Sequence, residues 1–512
     1  MSNSSVTSEN LKNPAFDEVI TSGYLKTRLT DTLEGSAVAK IILTDAANIS
    51  AHLKNYEKNL SSWQKTQFQS KEKLSFTTES GPVFLLSLQA TPDSVAKRNR
   101  GLLLKSPYGK ARDQMGALFA KLLKEEHLTG AELTFDAQAE EVIVGSLVGI
   151  EMASYSYLRA TKKGLPKLNL KLENIEKNLV QRASAIARGV NLARHLVNLP
   201  PNLLYPESYA NLLKVMFEHH EGLRVEVWDE AKLAEENMNL HLAVGRASAR
   251  QPRLVKLSYR PSKITKDDPV TTFVGKGITF DSGGLDLKPA ANMRLMKKDM
   301  GGSAAIAGTV QALLELGIKK PMDIYLPMAE NAISSEAFRP SDVFTGRNGK
   351  TVEIHNTDAE GRLILADSLA LAKEEADKVP TRAIINVATL TGAIKVGLGV
   401  GMGGFMSNDP ELSERIQSAS QKSSDFMWEV PFFAEYRSQL KSEFADLNHC
   451  GTGGYGGAIT AGLYLLDYVD PCSFAHFDIY AWNDSPKGGL RDSGGSGQAV
   501  QCLIELMTSD PS

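Results

Sequence analysis

The chain has 512 residues, 42% of them hydrophobic and 23% charged, with 57 Lys and Arg against 60 Asp and Glu. That length allows two or three domains, each burying a core of its own. The near balance of charge removes any strong electrostatic argument for nucleic acid or an acidic membrane as the main partner.

The N-terminal stretch MSNSSVTSENLKNPAF is polar and lacks the apolar segment of a signal peptide. No apolar run in the sequence is long enough to span a bilayer. Three widely spaced cysteines, Cys450, Cys472 and Cys502, give neither a disulfide framework nor a thiolate zinc site, and suit a reducing compartment. A cytoplasmic protein is expected, in which the Asn-x-Ser sequons at Asn3, Asn48 and Asn59 are chance matches.

Strand-like and helix-like segments then alternate. AKIILTDA (39–46) and GPVFLLSL (81–88) predict strands and ARDQMGALFAKLLKEEH (111–127) a helix. AELTFDA (131–137) predicts a strand, and a further helix opens near Gln138. Such alternation predicts an α/β domain. The lysine-rich ATKKGLPKLNLKLEN (160–174) reads as a hinge. A helical pattern through IEKNLVQRASAIARGVNLARHLVN, ended by Pro200 and Pro201, reads as a connector over 173–198. The chain thus divides into an N-terminal α/β domain, 1–172, and a larger C-terminal one, 173–512. In the second, PVTTFVG (269–275), MDIYLPMA (322–329) and RAIINVATL (382–390) predict strands, and GGSAAIAGTVQALLELG (301–317) a small-residue helix. Function in such folds collects on loops at the carboxyl ends of strands.

In HNTDAEGRLILADSLALA (355–372), Asp358, Glu360 and Arg362 crowd against a nearly all-apolar helical run. Thr357 and Glu360 fit the spacing of a capping box, and acids in a first turn suit the helix dipole. That accounts for neither Asp358 nor Arg362. Upstream, GKGITFDSGGLDLKP carries Lys276, Asp281 and Lys288, and MKKDMGG places Asp299 at the mouth of the small-residue helix. Each residue has an ordinary structural explanation: Asp299 as an N-cap, Asp281 with its glycines as a turn, the lysines as solvated charge. The joint pattern is harder to dismiss, because charges gathered between apolar elements cost free energy unless paired or bound to metal. There is no HExxH, and the one close histidine pair is His219–His220. A metal site here is therefore built from carboxylates, as hard-cation and two-metal sites often are. GVGMGG and GTGGYGG match GxGxxG but lack the strand and helix context of a dinucleotide site, and read as loops lining a cleft.

The stretches VGKGITFDSGG, MKKDMGG, LPMAENAI and NTDAEGRL, in that order, resemble the leucine aminopeptidase (cytosol aminopeptidase) family of two-metal exopeptidases. NLPPNLLYPESYA, ATLTGA, ADLNHCGTGGYGGAITAGLYL and AHFDIYAW extend the likeness from about residue 175 to the C-terminus. The resemblance implies a smaller N-terminal α/β domain and a larger catalytic one with a central mixed sheet flanked by helices. It implies Lys276, Asp281, Asp299, Asp358 and Glu360 as ligands of two divalent ions, Zn or Mn, with Asp281 and Glu360 bridging. Lys276 would bind as a neutral amine, a state that a contacting dication favours. Lys288 and Arg362 would be the catalytic residues that bind no metal. A water activated between the ions would attack the peptide carbonyl while Lys288 stabilises the oxyanion. Arg362 would hold a bicarbonate ion as general base, with help from backbone amides around Gly361 and Leu390.

The resemblance further implies peptide substrates with a free N-terminus, losing leucine or a similar residue, and a homo-hexamer. Met296, Asn356, Thr389 and Ala481 match pocket positions. DIYAWND (478–484) departs from the DIxG of the better-known branch and looks closer to bacterial peptidase B, which bears on side-chain preference. The rival readings are a dipeptidase such as a cysteinylglycine hydrolase on the same site, a DNA-binding regulator retaining the fold, and a nucleotide-binding oxidoreductase.

Overall fold

The computed structural model describes residues 14–33, 37–45, 48–65, 73–87, 103–451 and 453–509. The Asn3 sequon and the ends of two expected strands, Ala46 and Leu88, lie outside them.

The first sheet has the order β2–β3–β1–β4–β5, with β1 Val38–Thr44, β2 Lys73–Thr78, β3 Gly81–Ser87, β4 Gly130–Phe135 and β5 Asn169–Glu173. β1 runs parallel to β3 and β4, and β4 to β5, while β2 is antiparallel to β3. Parallel neighbours need crossovers, and the helices Pro107–Leu122 and Glu140–Ser154 supply two of them. The first starts at Ser106, whose side chain accepts from the Gly109 amide, with Pro107 at the opening position. The expected lysine-rich hinge is in part a strand. In LNLKLE the leucines alternate, and Leu170 is fully buried in β5; the polar residues between them, Asn169 and Lys171, hid that period of two.

The second sheet has nine strands. Its path runs Met427–Glu429, Gly403–Ser407, Phe474–Asp478, Thr381–Ala388, β8 (Val270–Gly275), β10 (Met322–Asn331), β7 (Arg253–Tyr259) and β6 (Leu223–Trp228), with β9 (Gly277–Asp281) also on β10. The four central strands are parallel, and antiparallel neighbours flank them on both sides. The expected mixed sheet is observed. Every residue of β8 is buried, as a strand covered on both faces requires.

Helix Gly301–Glu315 packs on the long helix Lys177–Asn198 through Gly308 and Gly189. A Cβ on Gly308 would stand 2.2 Å from the Gly189 carbonyl oxygen. The small residues in that helix are therefore what lets the two backbones touch. One apolar cluster runs from Phe16 and Leu133 through Val190 to Ile306, Ile324 and Phe477, so both sheets share a core. Among the described residues no helix is long and apolar enough to cross a membrane.

Candidate active site

The carboxyl ends of the central strands converge. Lys276 follows β8, Asp281 ends β9, and Asp478 ends its own strand. Asp299 follows a short 3-10 turn, Met296–Lys298, ahead of helix Gly301–Glu315. Asp358 lies in a second 3-10 turn, Thr357–Ala359, and Glu360 just after it, where helix Gly361–Ala376 begins.

Two lysines join four carboxylates. Lys276 Nζ lies 2.8 Å from Asp299 Oδ2 and 3.1 Å from Glu360 Oε1. Lys288 Nζ lies 2.8 Å from Asp281 Oδ2 and also pairs with Asp358 Oδ1. One oxygen from each of Asp281, Asp358 and Glu360 lies within 4.8 Å of the others, close enough to share a cation. Further bonds hold the set. Asp281 Oδ1 accepts from Asn331 Nδ2 at 2.8 Å and from the Gly283 amide at 2.9 Å. Thr389 Oγ1 donates to Asp299 Oδ1 at 2.9 Å, and Lys276 Nζ donates to the Thr389 carbonyl at 3.1 Å.

The cluster is short of positive charge. Lys276, Asp281, Asp299 and Glu360 are all buried. Asp299 Oδ2, Asp358 Oδ1 and both oxygens of Glu360 are shielded from solvent and take no hydrogen bond, although three of them face a lysine at ion-pair range. Buried carboxylate oxygens in that state are costly unless a cation completes them. Burial, reinforced by Asp281, raises the Glu360 carboxyl to about 8, and burial with Asp299 raises Asp281. Burial opposes the charge on Lys276, yet Asp299, Glu360 and Asp281 outweigh it and hold its pKa above the ordinary lysine value. With these carboxylates alone, Lys276 is a charged ammonium; for it to bind a metal, the ion must displace its proton. The donor set of four carboxylates, one lysine and unsatisfied oxygens fits divalent cations.

Arg362 sits behind the cluster, 7% exposed. Its Nη1 donates to the His449 carbonyl at 3.0 Å, while its buried Nε has no partner among the described residues. Burial pulls its pKa down from the usual guanidinium value. His449 is buried and pushed down to about 3, first by burial and then by Arg362, so it is neutral. It meets the Asn356 carbonyl at 2.9 Å through Nε2 and takes the His355 amide on Nδ1 at 3.2 Å. The same Nδ1 also lies 3.2 Å from the Glu353 carbonyl.

Lys276, Asp281, Lys288, Asp299 and Asp358 line a cavity of about 580 Å3 whose walls include Met296, Thr389, Leu390, Ile394 and Tyr480. Met296, Thr389 and Leu390 thus lie on the wall of the cavity that holds the candidate ligands. Ala481 does not line it. Its Cβ faces Gly301, where an added Cβ would come within 2.4 Å, and Tyr480 takes the place on the wall. Ala481 has φ +58, a left-handed conformation that glycine adopts freely, which accounts for a glycine at the equivalent position of DIxG. Asn356 is exposed, and its side chain accepts from the Asp358 amide at 2.8 Å, so it orients a candidate ligand. Gly361 gives room to Lys276. The Leu390 amide donates to Asp478 Oδ1 at 2.9 Å and is engaged there, so it does not serve the anion site expected beside Arg362.

Three structural expectations are also corrected. Thr357 and Glu360 form no capping box: Thr357 Oγ1 donates to the Gly283 carbonyl at 2.7 Å and accepts from the Asp286 amide at 2.8 Å. Asp299 is not an N-cap, because Met300 holds that position. Lys276 and Lys288 are ion-paired inside the cluster instead of solvated. Of the first glycine-rich stretch, Val400 and Gly401 line a different cavity, with Trp482 and Lys487.

Asn331, His449 and Asp478 also shape the site and were not singled out in the sequence. They lie in LPMAENAI, ADLNHCG and AHFDIYAW, so the stretches were visible although the roles were not.

The profile of the cytosol aminopeptidase family, catalytic domain, matches residues 191–504. A probable cytosol aminopeptidase of Pseudomonas fluorescens (strain SBW25) is 40% identical over 372 residues, 72% of this chain and 73% of that protein. The crystal structure of a cytosol aminopeptidase from Coxiella burnetii superposes with TM-score 0.77 at 29% identity, over 94% of this chain and 99% of that one. The bottromycin maturation enzyme BotP in complex with Mn gives TM-score 0.79 at 29% identity, over 93% and 99%. The chain belongs to the cytosol aminopeptidase family.

Proposed function

We infer that Asp281, Asp299, Asp358 and Glu360, with Lys276, are the set through which this metal-dependent aminopeptidase holds two divalent ions. The observation that carries the assignment is the buried cluster itself, in which two lysines face four carboxylates and Glu360 Oε2 has neither a hydrogen bond nor an ion pair among the described residues. When bound, the ions supply Lewis acidity and make a water acidic enough to react near neutral pH.

The chain's own residues do the rest. With the carboxylates holding their ions, the free α-amino group of a peptide's first residue would be a ligand that an internal amide nitrogen is not, which would restrict cleavage to the chain end. Lys288, on the cavity floor, donates to the carbonyl oxygen as it gains charge. Arg362 offers its unpartnered Nε to a small anion, bicarbonate, that takes up a proton. Asn356, Asn331 and Thr389 orient Asp358, Asp281 and Asp299. The apolar walls at Met296, Leu390 and Ile394 suit leucine and similar first residues.

Oxygen and amine ligands do not by themselves choose between Zn and Mn; the Mn complex of the BotP neighbour supports Mn. A cytoplasmic homo-hexamer is the assembly we propose. A domain boundary near residue 172 suits the end of β5 at Glu173 and the start of the long helix at Lys177. Metal analysis of protein loaded with Mn2+ or Zn2+ and desalted tests the assignment. Two ions per chain are expected, and no retained ion at neutral pH would refute it.

A further inference from the structure

We propose that a cavity separate from the catalytic one binds a small organic carboxylate between Arg194 and Arg491.

This cavity has a volume of about 370 Å3, within the range of small-molecule pockets. It lies where three elements meet: the segment after helix Glu140–Ser154, the end of the long helix Lys177–Asn198, and the loop that leads into the short strand Gly494–Gly495. Tyr155, Tyr157, Leu158, Arg194, Asn198 and Arg491 are on its wall, and none of them lines the catalytic cavity.

Arg194 is 2% exposed, and among the described residues no carboxylate lies at ion-pair range of it. Its partners are neutral. Nε donates to the Gly495 carbonyl at 3.3 Å, and Nη1 donates to the Met152 carbonyl and to Asn191 Oδ1, each at 2.8 Å. The guanidinium stands 4.5 Å from the centroid of the Tyr155 ring. Nη2 is left without a hydrogen bond among the described residues. Burial pushes the Arg194 pKa down to about 10, further than Tyr155 and Asp492 restore it.

Arg491 is the second cation. Its Nη1 is buried and has no hydrogen-bond partner. Its Nε lies 3.8 Å from Asp492, the one acid on the wall, whose side chain is 54% exposed. Two guanidiniums thus line the cavity against one carboxylate that is largely in solvent. Buried N–H groups on a charged side chain are costly unless an anion completes them.

A carboxylate offers two coplanar oxygens to the fork of a guanidinium. The Tyr155 and Tyr157 rings and Leu158 add apolar wall beside the cations. The ligand that fits is therefore an anion with an apolar or aromatic body, because a bare inorganic anion would leave that wall unused.

The probes are phenylacetate, its neutral isostere phenylacetamide, and inorganic phosphate, titrated calorimetrically into Mn2+-loaded protein. Phenylacetate is expected to bind with a Kd of about 1 mM or below. Phenylacetamide should bind about tenfold or more weakly, the scale of one charged hydrogen bond. That comparison needs no variant. Arg491→Met should weaken phenylacetate by about the same factor, with a melting temperature near the parent's. The Asp358→Asn, Glu360→Gln double variant, whose catalytic cavity is altered, should bind phenylacetate as the parent does. No binding of phenylacetate, or equal binding of the amide, overturns the inference. Binding that the double variant loses and Arg491→Met keeps would place the carboxylate in the catalytic cavity and overturn it as well. Phosphate that binds as tightly and displaces phenylacetate would reduce the cavity to a site for bare oxyanions and overturn the assigned ligand class.

Discussion

Gly361 and Lys276 are fitted to each other. A Cβ on Gly361 would stand 2.3 Å from Lys276 Cε and 2.6 Å from its Nζ, so the lysine reaches Asp299 and Glu360 only because residue 361 has no side chain. The obstructed atoms are the end of a flexible chain. Gly361→Ala should therefore fold, at a cost of about 1 kcal/mol, while swinging the amine out of the cluster. We expect loss of bound metal and about a hundredfold fall in kcat with little change in melting temperature. Parental metal content and activity in this variant would remove Lys276 from the ligand set.

Asp478 anchors the loop that forms one wall. Its carboxylate takes the Leu390 and Thr391 amides at 2.9 and 3.2 Å and the Thr391 hydroxyl at 2.6 Å. Asp478→Ala strands these donors, and a loss of roughly 1–3 kcal/mol is expected in urea unfolding. Because Leu390 and Thr391 line the cavity, KM should rise more than kcat falls. A variant with unchanged KM would show that the loop does not meet the substrate.

The pH dependence of stability should change sign with metal. In metal-free protein the Glu360 carboxyl is raised to about 8 by burial and Asp281. A raised carboxyl binds its proton more tightly folded than unfolded, so its contribution is complete in acid and is lost as pH rises towards 8. A bound dication favours the charged carboxylate instead. The melting-temperature gap between metal-loaded and chelator-treated protein should widen from about pH 5 to about pH 8. A gap that stays flat or narrows over that range contradicts metal binding by these carboxylates.

Arg362 tests the anion. It pairs with no carboxylate among the described residues and leaves Nε without a partner. Arg362→Ala is expected to lower kcat by about a hundredfold or more while the metal count per chain is unchanged. Free guanidinium should restore part of the rate, and added bicarbonate should stimulate the parent but not the variant. Equal stimulation of both would place the anion elsewhere.

Much of this site was legible because its residues sit where patterns break. β8 reads as a buried strand and Lys276 follows it at once; the helix after Glu360 reads as buried and begins with charge. These contradictions between charge and burial pointed to Asp281, Asp299, Asp358 and Glu360 before any contact was known. The capping box failed because spacing cannot show that the Thr357 hydroxyl has a better partner in Gly283, 74 residues earlier. Leu390 failed as an anion donor for the same reason, since Asp478 takes its amide across 88 residues. Ala481 lies off the cavity wall and its neighbour Tyr480 on it, a choice between adjacent side chains that one sequence does not display. The fifth strand of the first sheet was hidden by the lysine-rich stretch around it, although Leu168 and Leu170 carried the alternation.

The most direct measurement is release of the N-terminal residue from a leucine-initiated peptide, with and without chelator and with Mn2+ or Zn2+ restored, beside an Asp358→Asn, Glu360→Gln double variant. Release that chelation abolishes, metal restores and the double variant lacks is expected for a two-ion aminopeptidase built on these carboxylates. Undiminished release from the double variant, or none from the parent with its metal sites shown to be filled, would contradict it.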